Sequence, residues 1–111
     1  MELKNWFFND EIVLDNLGGG VTRKVIAHND NIMIVEVNFE KGAVGSNHMH
    51  EHEQATYIIS GEYEFNINGV SKIVKAGDSI YFQPNCDHGA TCLKAGKIID
   101  TFTPMRKDFL K

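Results

Sequence analysis

Apolar residues in this chain recur with a period close to two rather than 3.6. In "NIMIVEVNF", Met33, Val35, Val37 and Phe39 share one parity while Glu36 and Asn38 take the other. That is the pattern of a strand with one buried face, because successive side chains on a strand point to opposite sides. "EYEFNINGVSKIVK" repeats it: Tyr63, Phe65 and Ile67 alternate with Glu62, Glu64 and Asn66, then meet Asn68-Gly69, the dipeptide favoured by a two-residue type I′ hairpin. Further strand-like runs are "VTRKVIAH", "ATYIIS", "SIYF", "HGATCL" and "KIIDTFT", separated by the turn signals "AGD", "QPN" and "KAG". The first dozen residues alone carry a weak helical pattern. Roughly seven to ten short strands at near-regular spacing predict an all-β sandwich or barrel. A barrel removes exposed sheet edges and can leave a lined interior pocket.

A chain of 111 residues is expected to build one core, so a single domain over 1–111 must carry any site. No apolar run approaches the roughly 18 residues of a membrane span, and "MELKNWFFNDEIVL" mixes acids among its apolar residues, unlike a secretory leader. A cytoplasmic protein without membrane partners is expected. Cys86 and Cys92 lack CxxC spacing and are expected to be buried free thiols. The net charge of -4, with arginine at only two positions, 23 and 106, argues against nucleic acid, whose phosphates require clustered Lys and Arg. A small-molecule partner is the expectation that remains.

The chemistry concentrates in "GSNHMHEHEQATYIISG", where His48, His50 and His52 fall within five positions. On a strand, His48 and His50 would face the same side about 7 Å apart, close enough for two imidazoles to converge on one ion. Gln54 shares their parity but would lie about 20 Å from His48 on a straight strand, so it can join them only if the chain bends. The alternative is a polar surface loop that happens to be rich in histidine. His88, just after the Pro84-Asn85 turn, is the candidate third ligand, and His28 at the end of "KVIAH" is expected to be structural or exposed.

These residues resemble the two motifs of the cupin superfamily. Gly42, His48, His50, Gln54 and Gly61 occupy the positions of the first motif (42–61), and Gly77, Asp78, Pro84 and His88 those of the second (77–88). Asn85 stands where glycine is common, a mild departure because Asn tolerates positive φ. The resemblance implies a double-stranded β-helix, the jelly-roll barrel of cupins. Gln54 stands where many cupins carry Glu, so the ion would keep its full dipositive charge and favour an anionic or oxygen-rich substrate.

Over nearly the whole chain, "RKVIAHNDNIMIVEVNFEKGAVG", "HEHEQ" and "DTFTPMRKDFL" are similar to the small pectin-degradation (KdgF-like) cupins. That resemblance implies a metal-dependent enzyme converting 4,5-unsaturated monouronates, from pectin or alginate breakdown, to the linear 4-deoxy-5-keto form. It implies His48, His50, Gln54 and His88 as ligands of one divalent transition metal ion (Ni, Zn, Mn or Fe), with His52 outside the first shell. It also implies Asp100, Phe102 and Arg106 as substrate residues, Asp100 and Arg106 catalytic and Phe102 and Arg106 binding. The residues themselves allow this. Asp100 and Phe102 share a parity in "KIIDTFT", and an inward aspartate is unusual in a strand, although hydrogen bonding near a strand end would also account for it. Arg106 could fork onto a carboxylate or sit on the surface. Small cupins commonly pair through sheet edges, so a homodimer is expected. The alternatives are a non-catalytic metal- or sugar-binding cupin, or an iron-dependent dioxygenase.

Overall fold

The computed structural model describes residues 4–110. Ten strands follow in chain order: β1 (Asp15–Gly18), β2 (Val21–His28), β3 (Met33–Phe39), β4 (Val44–His48), β5 (Glu53–Ile58), β6 (Glu62–Ile67), β7 (Val70–Lys75), β8 (Ser79–Phe82), β9 (His88–Lys94) and β10 (Gly96–Thr103). They form two antiparallel sheets, one of six strands in the order β1-β2-β3-β10-β5-β8 and one of four in the order β4-β9-β6-β7. The inner faces pack together as the barrel core. Met33, Val35, Ile58, Tyr63, Phe82 and Cys92 are among its most deeply buried side chains, and Val, Ile, Thr, Tyr and Phe recur along the strands because branched and aromatic side chains fit a pleated, half-buried surface.

The alternation visible in the sequence sets which face goes inward. Met33, Val35 and Val37 of β3 are buried, as are Tyr63 and Phe65 of β6. The hairpin between β6 and β7 closes at Asn68 (φ 48) and Gly69 (φ 84), with Ile67 opposite Val70. Both central residues at positive φ make a type I′ turn. Asn85 also adopts positive φ, 63, which an Asn side chain tolerates better than most.

Two features differ from the sequence expectation. Of the first dozen residues, positions 1–3 lie outside the described residues, and the rest form no α-helix, only a short 3-10 turn at Asn9–Glu11. Strands β1 and β4 lie outside the runs marked by apolar alternation, because "DNLG" and "VGSNH" carry few apolar residues. Pairing with β2 and β9 makes them strands. No helix of the described residues is long and apolar enough to cross a membrane.

Close backbone approach explains two glycines that the alternation does not. Gly61 (φ +89) and Gly96 face each other, and a Cβ on Gly96 would lie 2.1 Å from the Ser60 carbonyl oxygen and 2.6 Å from the Gly61 Cα. Backbone cannot give way as a flexible side chain can. Gly96→Ala is therefore expected to lower the melting temperature by about 10 °C or more, measured by thermal denaturation. An unchanged melting temperature would mean that the two turns separate freely.

Candidate metal centre and adjoining cavity

The register of the strands assembles the site. His48 and His88 are direct cross-strand partners on β4 and β9, with ring centroids 4.4 Å apart. On the opposing sheet, β5 pairs with β10 so that Gln54 lies opposite Phe102 and Thr56 opposite Asp100. All four of those side chains are buried. The expectation that His50 shares a strand with His48 is not met: β4 ends at His48, and His50 lies in the connection to β5. That bend brings the His50 ring to 5.0 Å from His88 and 5.6 Å from His48, and it lets Gln54 approach from the other sheet.

The hydrogen bonds of the three imidazoles have a common form. Nδ1 of His48, His50 and His88 lies 2.9, 3.0 and 3.1 Å from the carbonyl oxygens of Ser46, His52 and Cys86. A carbonyl only accepts, so each Nδ1 carries the proton and each Nε2 keeps a bare lone pair. One ligand atom from each ring lies within 4.8 Å of the others. Burial lowers the pKa of His50 and His88, which favours the neutral ring a metal requires.

Gln54 sharpens the argument. Its amide nitrogen donates to Thr56 Oγ1 at 3.0 Å and Asp100 Oδ1 at 3.2 Å, so its Oε1 is turned toward His50 Nε2, 3.0 Å away. A neutral imidazole has one N–H and cannot satisfy both the His52 carbonyl and this amide oxygen. Two lone pairs therefore meet at a spacing suited to two atoms that share one cation through bonds of about 2 Å. The donor set of three imidazole nitrogens and one amide oxygen fits a divalent transition metal.

Asp100 completes the polar cluster. Its Oδ1 accepts from Thr56 Oγ1 at 2.6 Å as well as from Gln54. Among the described residues, no donor reaches its Oδ2. Burial pushes its pKa up to about 6, against the opposing pull of the Thr56 and Gln54 hydrogen bonds and of Arg106.

A cavity of about 150 Å³ adjoins the cluster, lined by His48, Gln54, His88, Asp100, Phe102 and Arg106 among others. Arg106 is held by Asp108, with Nε to Oδ1 at 3.0 Å and Nη2 to Oδ2 at 2.8 Å, and this pairing depresses the Asp108 pKa. A larger depression of about 680 Å³ beside the turn at Gly18–Gly20 has only Glu40 and Lys97 as charged lining groups. It has no convergent ligands.

The remaining histidines stand apart. His52 donates Nε2–H to the Met105 carbonyl at 3.1 Å and is not among the clustered ligand atoms. His28 bonds the Ile26 carbonyl and packs on Phe7. Cys86 and Cys92 are free and buried. Two residues of the site went unnoticed in the sequence. Thr56 orients Gln54 and Asp100, and its inward parity with Ile58 in "QATYI" was the available signal. Arg23 also lines the cavity, and in "VTRKVIAH" it shares parity with Val21 and Val25, which pack on the core.

A two-sheet β-barrel with clustered imidazoles between the sheets defines the class, and the chain belongs to the cupin family: the sequence model of the Cupin domain matches residues 35–101. Within it, the chain is 41% identical over 110 residues to the Pectin degradation protein KdgF of Dickeya dadantii (strain 3937), covering 97% of this chain and 100% of that protein. Among solved structures, it superposes on KdgF from Halomonas sp. with a TM-score of 0.90 at 34% identity, covering 97% of this chain and 100% of that one. It also superposes on an RmlC-like cupin from Shewanella frigidimarina NCIMB 400 with a TM-score of 0.92 at 40% identity, covering 97% of each.

Proposed function

We propose that this chain is a metal-dependent enzyme of pectin or alginate breakdown that converts 4,5-unsaturated monouronates to the linear 4-deoxy-5-keto form. The observation that carries the reading is the convergence of three bare imidazole Nε2 atoms and the Gln54 amide oxygen beside Asp100. Similarity to a pectin degradation protein over 97% of the chain supports the substrate class. A cavity of about 150 Å³, the liquid volume of about five waters, suits one sugar ring.

His48, His50, Gln54 and His88 would hold the ion, which when bound supplies Lewis acidity toward the sugar's oxygens. Asp100 takes the proton of the C1 hydroxyl as the bond from C1 to the ring oxygen breaks, leaving an aldehyde at C1 and an enolate oxygen at C5. Returning that proton from Asp100 to C4 converts the enolate to the ketone, so the reaction is an isomerisation without redox change. Burial raises the Asp100 pKa, the direction that helps a carboxyl both take and give that proton. Phe102 and Arg106 form the cavity wall over which the ring lies.

The conjugated C4–C5 double bond absorbs in the ultraviolet, so the test is its loss upon mixing unsaturated galacturonate with protein. Acceleration that a chelator suppresses is the expected result. A rate equal to the spontaneous one overturns the reading.

A further inference from the structure

The chain has arginine at only two positions, 23 and 106, and both side chains line the cavity beside the candidate metal centre. Each has an aspartate beside it, Asp15 for Arg23 and Asp108 for Arg106, and a guanidinium with an unused N–H at a concavity is a ready partner for a carboxylate. The two differ in what they already hold.

Arg106 is engaged. Its Nε and Nη2 form a two-pronged contact with the Asp108 carboxylate, the geometry a guanidinium would otherwise offer to a substrate carboxylate.

Arg23 is not engaged in this way. It lies on β2 opposite buried Val37 of β3, which directs it inward, and only 13% of its side chain is exposed. Its nearest carboxylate oxygen, Asp15 Oδ2, is 3.6 Å from Nε, beyond hydrogen-bonding length. The Nε is buried and, among the described residues, has no hydrogen-bond partner. The Phe109 ring, 3.9 Å from the Arg23 Cζ, holds the guanidinium plane, and the Arg106 Cζ lies 4.3 Å from the same ring. Asp15 balances the charge at ion-pair distance, but the buried Nε–H lacks an acceptor, an unfavourable state that a carboxylate entering the cavity would relieve.

We propose that Arg23 is the residue that binds the carboxylate of the sugar in this cavity, so that it, rather than the Asp108-bound Arg106, sets the preference for uronates over neutral sugars. The assignment rests on the uronate reading above and refines it.

The test uses metal-loaded protein with Arg23→Gln and Arg23→Lys, each checked for folding by thermal denaturation. On unsaturated galacturonate, Arg23→Gln is expected to raise KM roughly 10- to 100-fold, the loss of a charge-assisted hydrogen-bond pair, with kcat changed less than about threefold. Arg23→Lys recovers part of the loss, since it keeps the charge but not the fork, and it serves alone if the Gln variant does not fold. On the methyl ester of the same sugar, wild type and variants are expected to have equal KM. An unchanged KM on the acid, or an equal loss on acid and ester, overturns the proposal. If the wild type fails to accelerate the reaction, the functional reading fails, and calorimetric binding of saturated galacturonate decides the inference separately. Binding at least about tenfold tighter in wild type than in Arg23→Gln supports it, and equal or undetectable binding overturns it.

Discussion

Asp100→Asn is expected to lower turnover of the unsaturated uronate by roughly 10²- to 10⁴-fold, the range for loss of a positioned general acid–base group, with little change in KM. The substitution keeps an oxygen to accept from Thr56 and Gln54, so the loss reports proton transfer rather than collapse of the site. Stability supplies an independent check, measured in chelator so that no ion adjoins the carboxyl. Burial raises the Asp100 pKa from 3.8 to about 6, so folding disfavours its charged form. That penalty is absent below about pH 4, grows as pH rises to about 6, and is constant above. Between those limits Asp100→Asn is expected to gain stability on the wild type by an amount of the order of 3 kcal/mol, the shift converted at about 1.4 kcal/mol per unit. Urea midpoints at pH 4 and pH 7 measure it. A variant that is inactive and equally destabilised at both pH values would mean that Asp100 serves packing.

Removal of the ion is expected to return the reaction to its spontaneous rate. The same ion should stabilise the fold by about 3 to 4 kcal/mol when supplied at 100 to 1,000 times its dissociation constant, raising the melting temperature by more than about 10 °C. His50→Ala is expected to abolish both effects, because its Nε2 meets the Gln54 oxygen at 3.0 Å and belongs to the three-histidine cluster. His52→Ala is the contrast: it loses one hydrogen bond to the Met105 carbonyl and should keep the metal-induced shift in melting temperature. The reverse ordering of the two variants would move the ion to His52 and turn Gln54 away from it.

The contrast between those neighbours measures how much of the site was legible beforehand. Strand periodicity grouped His48, His50, His52 and Gln54 by parity alone, and parity cannot separate a ligand from a neighbour. Motif similarity singled out His48, His50, Gln54 and His88 and joined to them Asp100, Phe102 and Arg106. The structure gathers all seven around one cluster and its cavity. The route differs from the expected one, since His50 reaches His48 across a bend rather than along a strand. Arg106 was legible as a fork for a carboxylate, yet that carboxylate is Asp108, two residues on. Thr56 and Arg23 escaped notice because a threonine in a strand is unremarkable and one arginine beside a lysine reads as surface.

Alternation of side chains along a strand is a local property, so the sequence by itself determined the all-β class, the inward faces of β3 and β6, and the turn at Asn68-Gly69, while the resemblance to cupin motifs implied the barrel. Spacing within its two motifs supplied the candidate ligands. Register between strands is non-local, set by which inner faces can pack together, and only the tertiary structure decided it. That register puts His48 beside His88 and Thr56 beside Asp100, turns the Gln54 oxygen toward His50, and brings the chain's two arginines to the same cavity.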